Sequence, residues 1–294
     1  MRRTAGLSRQ GRKNREANRG GSVPGTNRGR NKPDVDPAGG RNAVEMIDHV
    51  ISEVADGVQT VRFDRIEAEN ALTASMCEAA ADAIAFGESS SRVRAIVITG
   101  GPGIFTRGHD PAEIQAFANE AAIGTSVIRL LKTMATVDKP LIGAVDGPVF
   151  GFGTALLFLC DYVVASEWSS FAAPFADIGL PPEAGISLLA PRLMGHQRAF
   201  ALIVLGEHFD AARAEMAGLV SRVVAADEVD SAAREVAKSL AGKPPEAVRA
   251  SRRFLRGDRR EVLARIDQEA AAFVELLKSP AARDALQAFL DRSR

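Results

Sequence analysis

The chain has 294 residues, 46% hydrophobic and 25% charged, a length and composition that allow a large buried core. Its formal net charge is zero, yet residues 1–45 carry 11 Lys and Arg against 4 Asp and Glu, and the remainder carries 26 against 33. No run of 18 apolar residues occurs, so we expect no membrane-spanning helix and favour a cytoplasmic protein. Cys77 and Cys160 lie in apolar patterns without a CxxC pair, so we expect reduced, buried thiols and no metal site.

Residues 1–45 are predicted to form a disordered basic arm, because they are rich in Gly, Arg, Asn and Pro and lack apolar periodicity. An alternative is that translation begins at Met46, since the stretch MIDHVISEV leads directly into the first predicted strand. The arm has no aromatic residue and no nucleic-acid-binding motif, so its charge alone does not predict a nucleic-acid partner.

Strand-like alternation of apolar and polar residues covers 49–54 and 58–64, on either side of an Asp56-Gly57 turn. The next predicted elements are a helix over 73–87 capped by Thr73, a strand at 94–101, a helix over 121–136, a strand at 141–147, a helix over 152–159 and a strand at 162–166. This alternation predicts an α/β fold with a mainly parallel sheet.

From residue 196 onward the pattern is mostly helical, and a Lys-Pro-Pro joint at 243–245 precedes the last three predicted helices. The helical segments are expected near 196–204, 210–216, 226–240, 244–256, 260–277 and 280–292. We therefore predict an ordered core over 46–242 and a C-terminal helical region over 243–294.

A glycine-rich turn with Gly147, Gly151 and Gly153 opens an apolar segment, and Glu183 follows about thirty residues later in a Pro-Pro-Glu-Ala-Gly loop. A helix that begins at such a turn directs unpaired N–H groups and its positive dipole end at a ligand. A carboxylate among apolar residues is a candidate proton shuttle. The pattern indicates chemistry at a carbonyl whose oxygen becomes negative, although Glu183 could instead cap the helix that follows.

These segments resemble the crotonase superfamily, the enoyl-CoA hydratases and isomerases, over about residues 47–292. The resemblance rests on DRIEAENALT at 64–73, IVITGGPGIFTRGHDPAEI at 96–114, KPLIGAVDGPVFGFGTALLFLCDYVVAS at 139–166, FAAPFADIGLPPEAG at 171–185 and the block at 191–224. It implies a crotonase-like spiral of ββα units, a C-terminal helical region that forms homotrimers or hexamers, and an acyl-CoA substrate without a further cofactor.

By this resemblance, the backbone N–H groups of His109 and Phe152 form the oxyanion hole that holds the thioester oxygen. The family has a small residue at the position of His109, and we expect this imidazole to point outward. Weaker candidates for contact with the substrate or its CoA are Arg65, Arg107, Asp110 and Lys278.

Hydratases of the superfamily activate water with two glutamates, whose positions are occupied here by Ala155 and Phe175. The stretch PFADIGLPPEAG is instead similar to that of peroxisomal-type Δ3,Δ2-enoyl-CoA isomerases. The resemblance then implies that Glu183 removes a C2 proton from a 3-enoyl-CoA and returns it at C4. Asp110 and Asp177 remain open as other acids, and a hydratase of fatty-acid β-oxidation and a non-catalytic acyl-CoA-binding protein remain open as other functions.

Overall fold

Ten strands form two sheets in the computed structural model, which describes residues 44–120 and 122–292. The strands are β1 (Val44–Ile47), β2 (Val50–Ala55), β3 (Val58–Phe63), β4 (Ala95–Thr99), β5 (Leu141–Val145), β6 (Pro148–Phe150), β7 (Tyr162–Ser166), β8 (Ser170–Ala172), β9 (Phe209–Asp210) and β10 (Arg222–Val224). The larger sheet has the order β1-β2-β3-β4-β5-β7-β10, and the smaller sheet has the order β6-β8-β9.

The larger sheet begins as an antiparallel meander and continues as parallel strands. Strands β1, β2 and β3 pair antiparallel, and the tight turn between β2 and β3 has positive φ at Asp56 and Gly57, as the sequence predicts. Every later pair, from β3–β4 to β7–β10, is parallel. The predicted mainly parallel α/β sheet is therefore confirmed.

Eleven α-helices lie in the described part of the chain. They are α1 (Ala74–Ser89), α2 (Pro111–Glu120), α3 (Thr125–Thr136), α4 (Phe152–Leu157), α5 (Ile186–Met194), α6 (His196–Ile203), α7 (Ala211–Ala217), α8 (Val229–Ala241), α9 (Pro245–Arg256), α10 (Arg259–Leu277) and α11 (Pro280–Arg292). None of the described helices is long and apolar enough to cross a bilayer.

Both faces of the parallel strands are covered by helices, which explains their continuous apolar sequences. In β4, Ala95 and Val97 face α8 within one apolar cluster, whereas Ile96 and Ile98 belong to the larger cluster on the other face. Helices α1 and α3 pack closely against each other on that second side. The Thr73 hydroxyl caps α1 by accepting a 3.2 Å hydrogen bond from the Met76 N–H, as predicted.

Two details differ from the sequence prediction. The segment predicted as one helix over 121–136 begins only at Thr125, and a separate helix, α2, starts at Pro111 directly after Asp110. The Asp-Pro pair is a helix-start signal that the motif-based interpretation passed over. The chain after residue 196 also contributes β10 to the edge of the larger sheet, a strand of three residues. The predicted basic arm lies outside the described residues up to residue 43.

Candidate active site

Two glycine-containing turns touch each other at the centre of the site. A Cβ atom on Gly108 would lie 2.8 Å from the Phe150 carbonyl oxygen, and the residue has a φ of +93°. A Cβ atom on Gly153 would lie 2.9 Å from the Thr106 carbonyl oxygen. No larger residue fits at either position without moving backbone, so the glycines permit the close approach of the turns.

The backbone N–H groups of His109 and Phe152 lie at this contact. The position of a Cβ on Gly108, the neighbour of His109, is 3.3 Å from the Phe152 nitrogen. Within the described residues, neither N–H donates a hydrogen bond to a protein acceptor. Phe152 is the first residue of α4, where an N–H has no partner inside the helix. Two unpaired donors at one contact fit the predicted oxyanion hole.

The His109 side chain points into the protein, so the expectation that it points outward is wrong. Its Nε2 lies 3.0 Å and 3.1 Å from the two carboxylate oxygens of Glu183. The side chains are only 8% and 4% exposed, respectively. The imidazole stacks on the Phe152 ring with centroids 4.1 Å apart, and its edge packs against Phe117. Contacts with two aromatic rings and a buried carboxylate hold the imidazole in this position. The sequence around residue 109 does not indicate these contacts.

The contact with Glu183 uses only one of the two nitrogens of His109. A carboxylate that is ionised only accepts hydrogen bonds, and in that state Nε2 is the donor. The other nitrogen, Nδ1, is buried and has no hydrogen-bond partner among the described residues. A buried polar atom without a partner costs about 1–3 kcal/mol, which makes Nδ1 a place where a ligand atom can contribute a hydrogen bond.

Glu183 is held in a constrained loop before α5, and it does not cap that helix. The N-cap is Gly185, and the backbone has positive φ at both Ala184 (65°) and Gly185 (77°). Positive φ is unfavourable for alanine, so surrounding contacts must maintain this conformation. The capping interpretation of Glu183 is therefore wrong, because its carboxylate faces the imidazole.

A second buried carboxylate, Glu269 of α10, holds the start of α5. Its oxygens accept hydrogen bonds from the Gly185 N–H at 2.6 Å, the Ser187 N–H at 2.9 Å and the Ser187 hydroxyl at 2.6 Å. Burial raises the pKa of Glu269, with a further contribution from the Glu183 carboxylate, while its hydrogen bonds act in the opposite direction. The sequence analysis missed Glu269, because one glutamate in an amphipathic helix carries no local signal.

The weaker predicted ligands lie in different surroundings. Arg65 pairs with Asp110 at 2.5 Å, and Asp110 also accepts the Ala112 N–H at the start of α2. Arg107 is exposed, pairs with Glu69, and lines a surface groove of about 550 Å³ with Phe150 and Trp168. Lys278 is exposed and pairs with Glu275. Contact of any of these with CoA stays a prediction, with Arg107 the best placed for a phosphate.

The remaining residues of the sequence analysis lie apart from the pair of His109 and Glu183, and a catalytic role of Asp110 or Asp177 stays a prediction. Ala155 and Phe175 are buried, and Asp177 is exposed to solvent. Cys77 and Cys160 are free thiols, and burial raises the pKa of each to about 12. The described residues contain no group of three or more His, Cys, Asp or Glu side chains arranged to hold a metal.

Comparison with known proteins identifies the family of this chain. The model of the enoyl-CoA hydratase/isomerase family matches residues 53–294. This chain belongs to the enoyl-CoA hydratase/isomerase family. A crystal structure of an enoyl-CoA hydratase/isomerase from Pseudoalteromonas atlantica is similar with a TM-score of 0.78 and 34% identity, covering 83% of this chain and 98% of that one. The predicted crotonase-like fold is confirmed.

Family members similar to this chain carry names of different reactions. A probable enoyl-CoA hydratase of Mycobacterium leprae is 34% identical, over 67% of this chain and 77% of that protein. The 4-chlorobenzoyl coenzyme A dehalogenase-2 of an Arthrobacter species is also 34% identical, over 67% and 73%. The 1,2-epoxyphenylacetyl-CoA isomerase of Escherichia coli is 30% identical, over 68% and 78%. The expected closeness to peroxisomal-type isomerases stays a prediction.

Proposed function

We propose that this family member moves the double bond of a 3-enoyl-CoA to the 2-trans position. The observation that carries the proposal is the buried carboxylate of Glu183, which contacts the side chain of His109 in the turn whose N–H groups are unpaired. The thioester oxygen would accept hydrogen bonds from His109 and Phe152, which stabilises the negative charge of the dienolate. The reaction needs one group that first accepts and then returns a proton, and Glu183 is the carboxylate on which this transfer depends.

Buried apolar residues at the two positions of the hydratase glutamates support isomerisation over hydration. Neither Ala155 nor Phe175 can hold a water molecule by its side chain, and both are at most 3% exposed. A site without these acids favours return of the proton to carbon over addition of water. Enoyl-CoA hydratase activity is the second candidate, because several similar proteins carry that name, among them a short-chain-enoyl-CoA hydratase of Clostridium acetobutylicum.

The test is NMR of the full-length protein incubated in D₂O with trans-3-hexenoyl-CoA and, separately, with trans-2-hexenoyl-CoA. The expected result is conversion of the 3-enoyl to the 2-enoyl thioester without a 3-hydroxyacyl product. Formation of 3-hydroxyacyl-CoA from the 2-enoyl thioester would establish the hydratase instead. Binding of both thioesters without either product would contradict both enzyme assignments and favour an acyl-CoA-binding protein.

Assembly into homotrimers or hexamers remains part of the proposal. Large apolar side chains that are exposed on a single chain support a subunit interface: Met216 is 72% exposed, Phe254 86% and Leu255 88%. Light scattering coupled to gel filtration measures the mass directly. A monomer at micromolar concentration would contradict this part of the proposal without affecting the reaction.

A further inference from the structure

The imidazole of His109 spans the distance between the proposed oxyanion turn and the Glu183 carboxylate. The main chain of His109 supplies one of the two unpaired N–H groups, and its ring reaches Glu183 through Nε2. Both carboxylate oxygens lie within 3.1 Å of this one nitrogen, and the Glu183 side chain is 4% exposed. A thioester oxygen held by the His109 N–H would therefore be bound by the same residue whose ring contacts Glu183.

We propose that the proton passes between the substrate and Glu183 through His109, and that Nδ1 of His109 is the atom that contacts the substrate carbon. The inference rests on the proposed function and specifies its catalytic atoms. His109 would then be a catalytic residue twice over, since its main chain binds the thioester oxygen and its side chain moves the proton.

Each proton that His109 accepts on one nitrogen is matched by a proton that it gives up from the other. Nδ1 accepts the C2 proton of the substrate, and the electrons of the C2–H bond enter the dienolate. Nε2 at the same time gives its proton to the Glu183 carboxylate, so the imidazole stays neutral and the new negative charge is on the thioester oxygen. In the return step, Nδ1 donates its proton to C4, and Nε2 recovers its proton from Glu183. His109 and Glu183 are then back in their starting protonation states, and no oxidant, metal or further co-reactant takes part.

The unpaired state of Nδ1 supports this role. A structural histidine in an apolar pocket normally satisfies both ring nitrogens, whereas here Nδ1 has no partner within the described residues. Two other ionisable side chains that interact electrostatically with Glu183 are Glu269 and Cys77. Glu269 uses its oxygens on Gly185 and Ser187, and Cys77 has a thiol whose pKa is raised to about 12.

The decisive experiment measures deuterium exchange at C2 of hexanoyl-CoA in D₂O, beside isomerisation of trans-3-hexenoyl-CoA. The variant His109→Gln places an amide donor near the position of Nε2 and keeps the backbone N–H, but it has no basic nitrogen. We expect it to lose at least about 100-fold in the exchange rate while still binding hexanoyl-CoA. The control is His196→Gln, which changes an exposed histidine and is expected to leave exchange unchanged.

A second variant and a spectroscopic measurement distinguish loss of the imidazole from misfolding of the variant. Imidazole added to His109→Ala should restore part of the exchange rate in a concentration-dependent manner. In the wild-type protein, ¹⁵N NMR should show His109 protonated at Nε2 and not at Nδ1. Exchange by His109→Gln within threefold of wild type, with Glu183→Gln inactive, would overturn the relay and make Glu183 the direct base. An Nδ1-protonated tautomer, or no exchange by the wild type on either thioester, would also overturn it.

The two assays separate this inference from the proposed function. Hexanoyl-CoA has no double bond, so its exchange reports only proton removal beside the thioester. Exchange that depends on His109, without isomerisation of the 3-enoyl thioester, would support the relay and contradict the isomerase. Isomerisation that does not depend on the His109 side chain would do the opposite.

Discussion

The two halves of the candidate site are held by different kinds of contact. The two turns of the proposed oxyanion hole are fixed by backbone packing, since Gly108 and Gly153 allow main chain to approach main chain. The Glu183 loop is fixed by side chains from distant segments, His109 on one side and Glu269 on the other. The first half tolerates almost any side chain that leaves the glycines in place, whereas the second depends on the chemistry of three particular residues.

This difference indicates how one fold can serve several reactions. The proposed thioester recognition through N–H groups would not require a particular side chain at His109 or Phe152, so it could persist while the acid-base residues change. The similar proteins are named as a hydratase, a dehalogenase and an isomerase, so the names within this family cover several reactions.

The largest expected effect on the reaction rate comes from removing the carboxylate of Glu183. Glu183→Gln should lower the isomerisation rate by at least about 10³-fold, because an amide cannot accept the proton, and should leave acyl-CoA affinity near normal. Steady-state kinetics and calorimetric binding measure the two effects. The matched control is Asp177→Asn, an exposed acid of the same segment, which we expect to stay within twofold of wild type. Loss of activity in this control would support a catalytic role of Asp177.

The next largest effect is expected from separating the two glycine-containing turns. Gly108→Ala should cost about 10²–10³-fold in kcat, since its Cβ would separate the two turns and displace an oxyanion donor. It should also destabilise the fold by at least about 1 kcal/mol because of the positive φ. Gly257→Ala is the control, because Gly257 has a φ of +72° but open space around its Cβ position. Equal loss of activity in both variants would show that strain, and not separation of the turns, is responsible.

A smaller effect is expected from the residue that holds the Glu183 loop. Glu269→Gln should lower kcat by roughly tenfold with little change in KM, because α5 and its preceding loop would be less well positioned. The control is Glu261→Gln, an exposed residue of the same helix that pairs with Arg192. A rise in KM with unchanged kcat would contradict a positioning role.

The raised pKa of Glu269 leads us to expect that the free energy of unfolding depends on pH. Its pKa in the folded protein is raised above the ordinary value of 4.5, so the folded state binds this proton more tightly than the unfolded state. The stabilisation from protonation is complete below pH 4.5 and is lost as the pH rises through the folded-state pKa. Urea unfolding at pH 7 and pH 5 should therefore show wild type gaining stability relative to Glu269→Gln on acidification. A relative loss would mean that the pKa is lowered instead.

A still smaller effect concerns CoA. Arg107→Ala should raise KM for an acyl-CoA by about two- to fivefold without changing kcat, because Arg107 is exposed and its charge is screened by solvent. Arg222→Ala, which removes another exposed ion-paired arginine, is the control. Equal values of KM for wild type and Arg107→Ala would remove Arg107 from the CoA-binding residues.

Deletion of residues 1–45 should have no effect on either half of the site. Activity and assembled mass are expected to match the full-length chain, because the residues that form the site all follow this segment. Enzyme assays and light scattering on the truncated protein test this. A loss of assembly would assign the arm a role in subunit contact.

Much of the fold could be predicted from the sequence, because its signals are local. Helix α1 has the Thr73 cap, and α9, α10 and α11 follow apolar periodicity to within one residue of the predicted bounds. Strands β6, β8 and β9 have only two or three residues, too few for a recognisable pattern. Their pairing joins segments that are separated in the chain by whole helices, with β6 parallel to β8 and β9 antiparallel to it.

In the candidate site, too, some residues could be predicted from local motifs and others could not. The glycine turns and Glu183 belong to contiguous motifs, and these positions could be predicted. The direction of the His109 side chain depends on a carboxylate 74 residues away, and the role of Glu269 depends on a loop 84 residues away. Contacts between such distant segments arise only when the chain folds, so no local pattern around His109 or Glu269 reveals them.

The hydrogen bonds from α5 to Glu269 also set an order in which the site is completed during synthesis. A nascent chain acquires both glycine turns, and Glu183 itself, well before α10 leaves the ribosome. Until α10 arrives, the start of α5 lacks the acceptor for the Gly185 and Ser187 N–H groups. A chain released before residue 269 would contain every residue of the proposed proton pathway without the contact that holds its carboxylate loop. Helix α10, which is translated after every other residue of the proposed site, thus completes the support of the Glu183 loop.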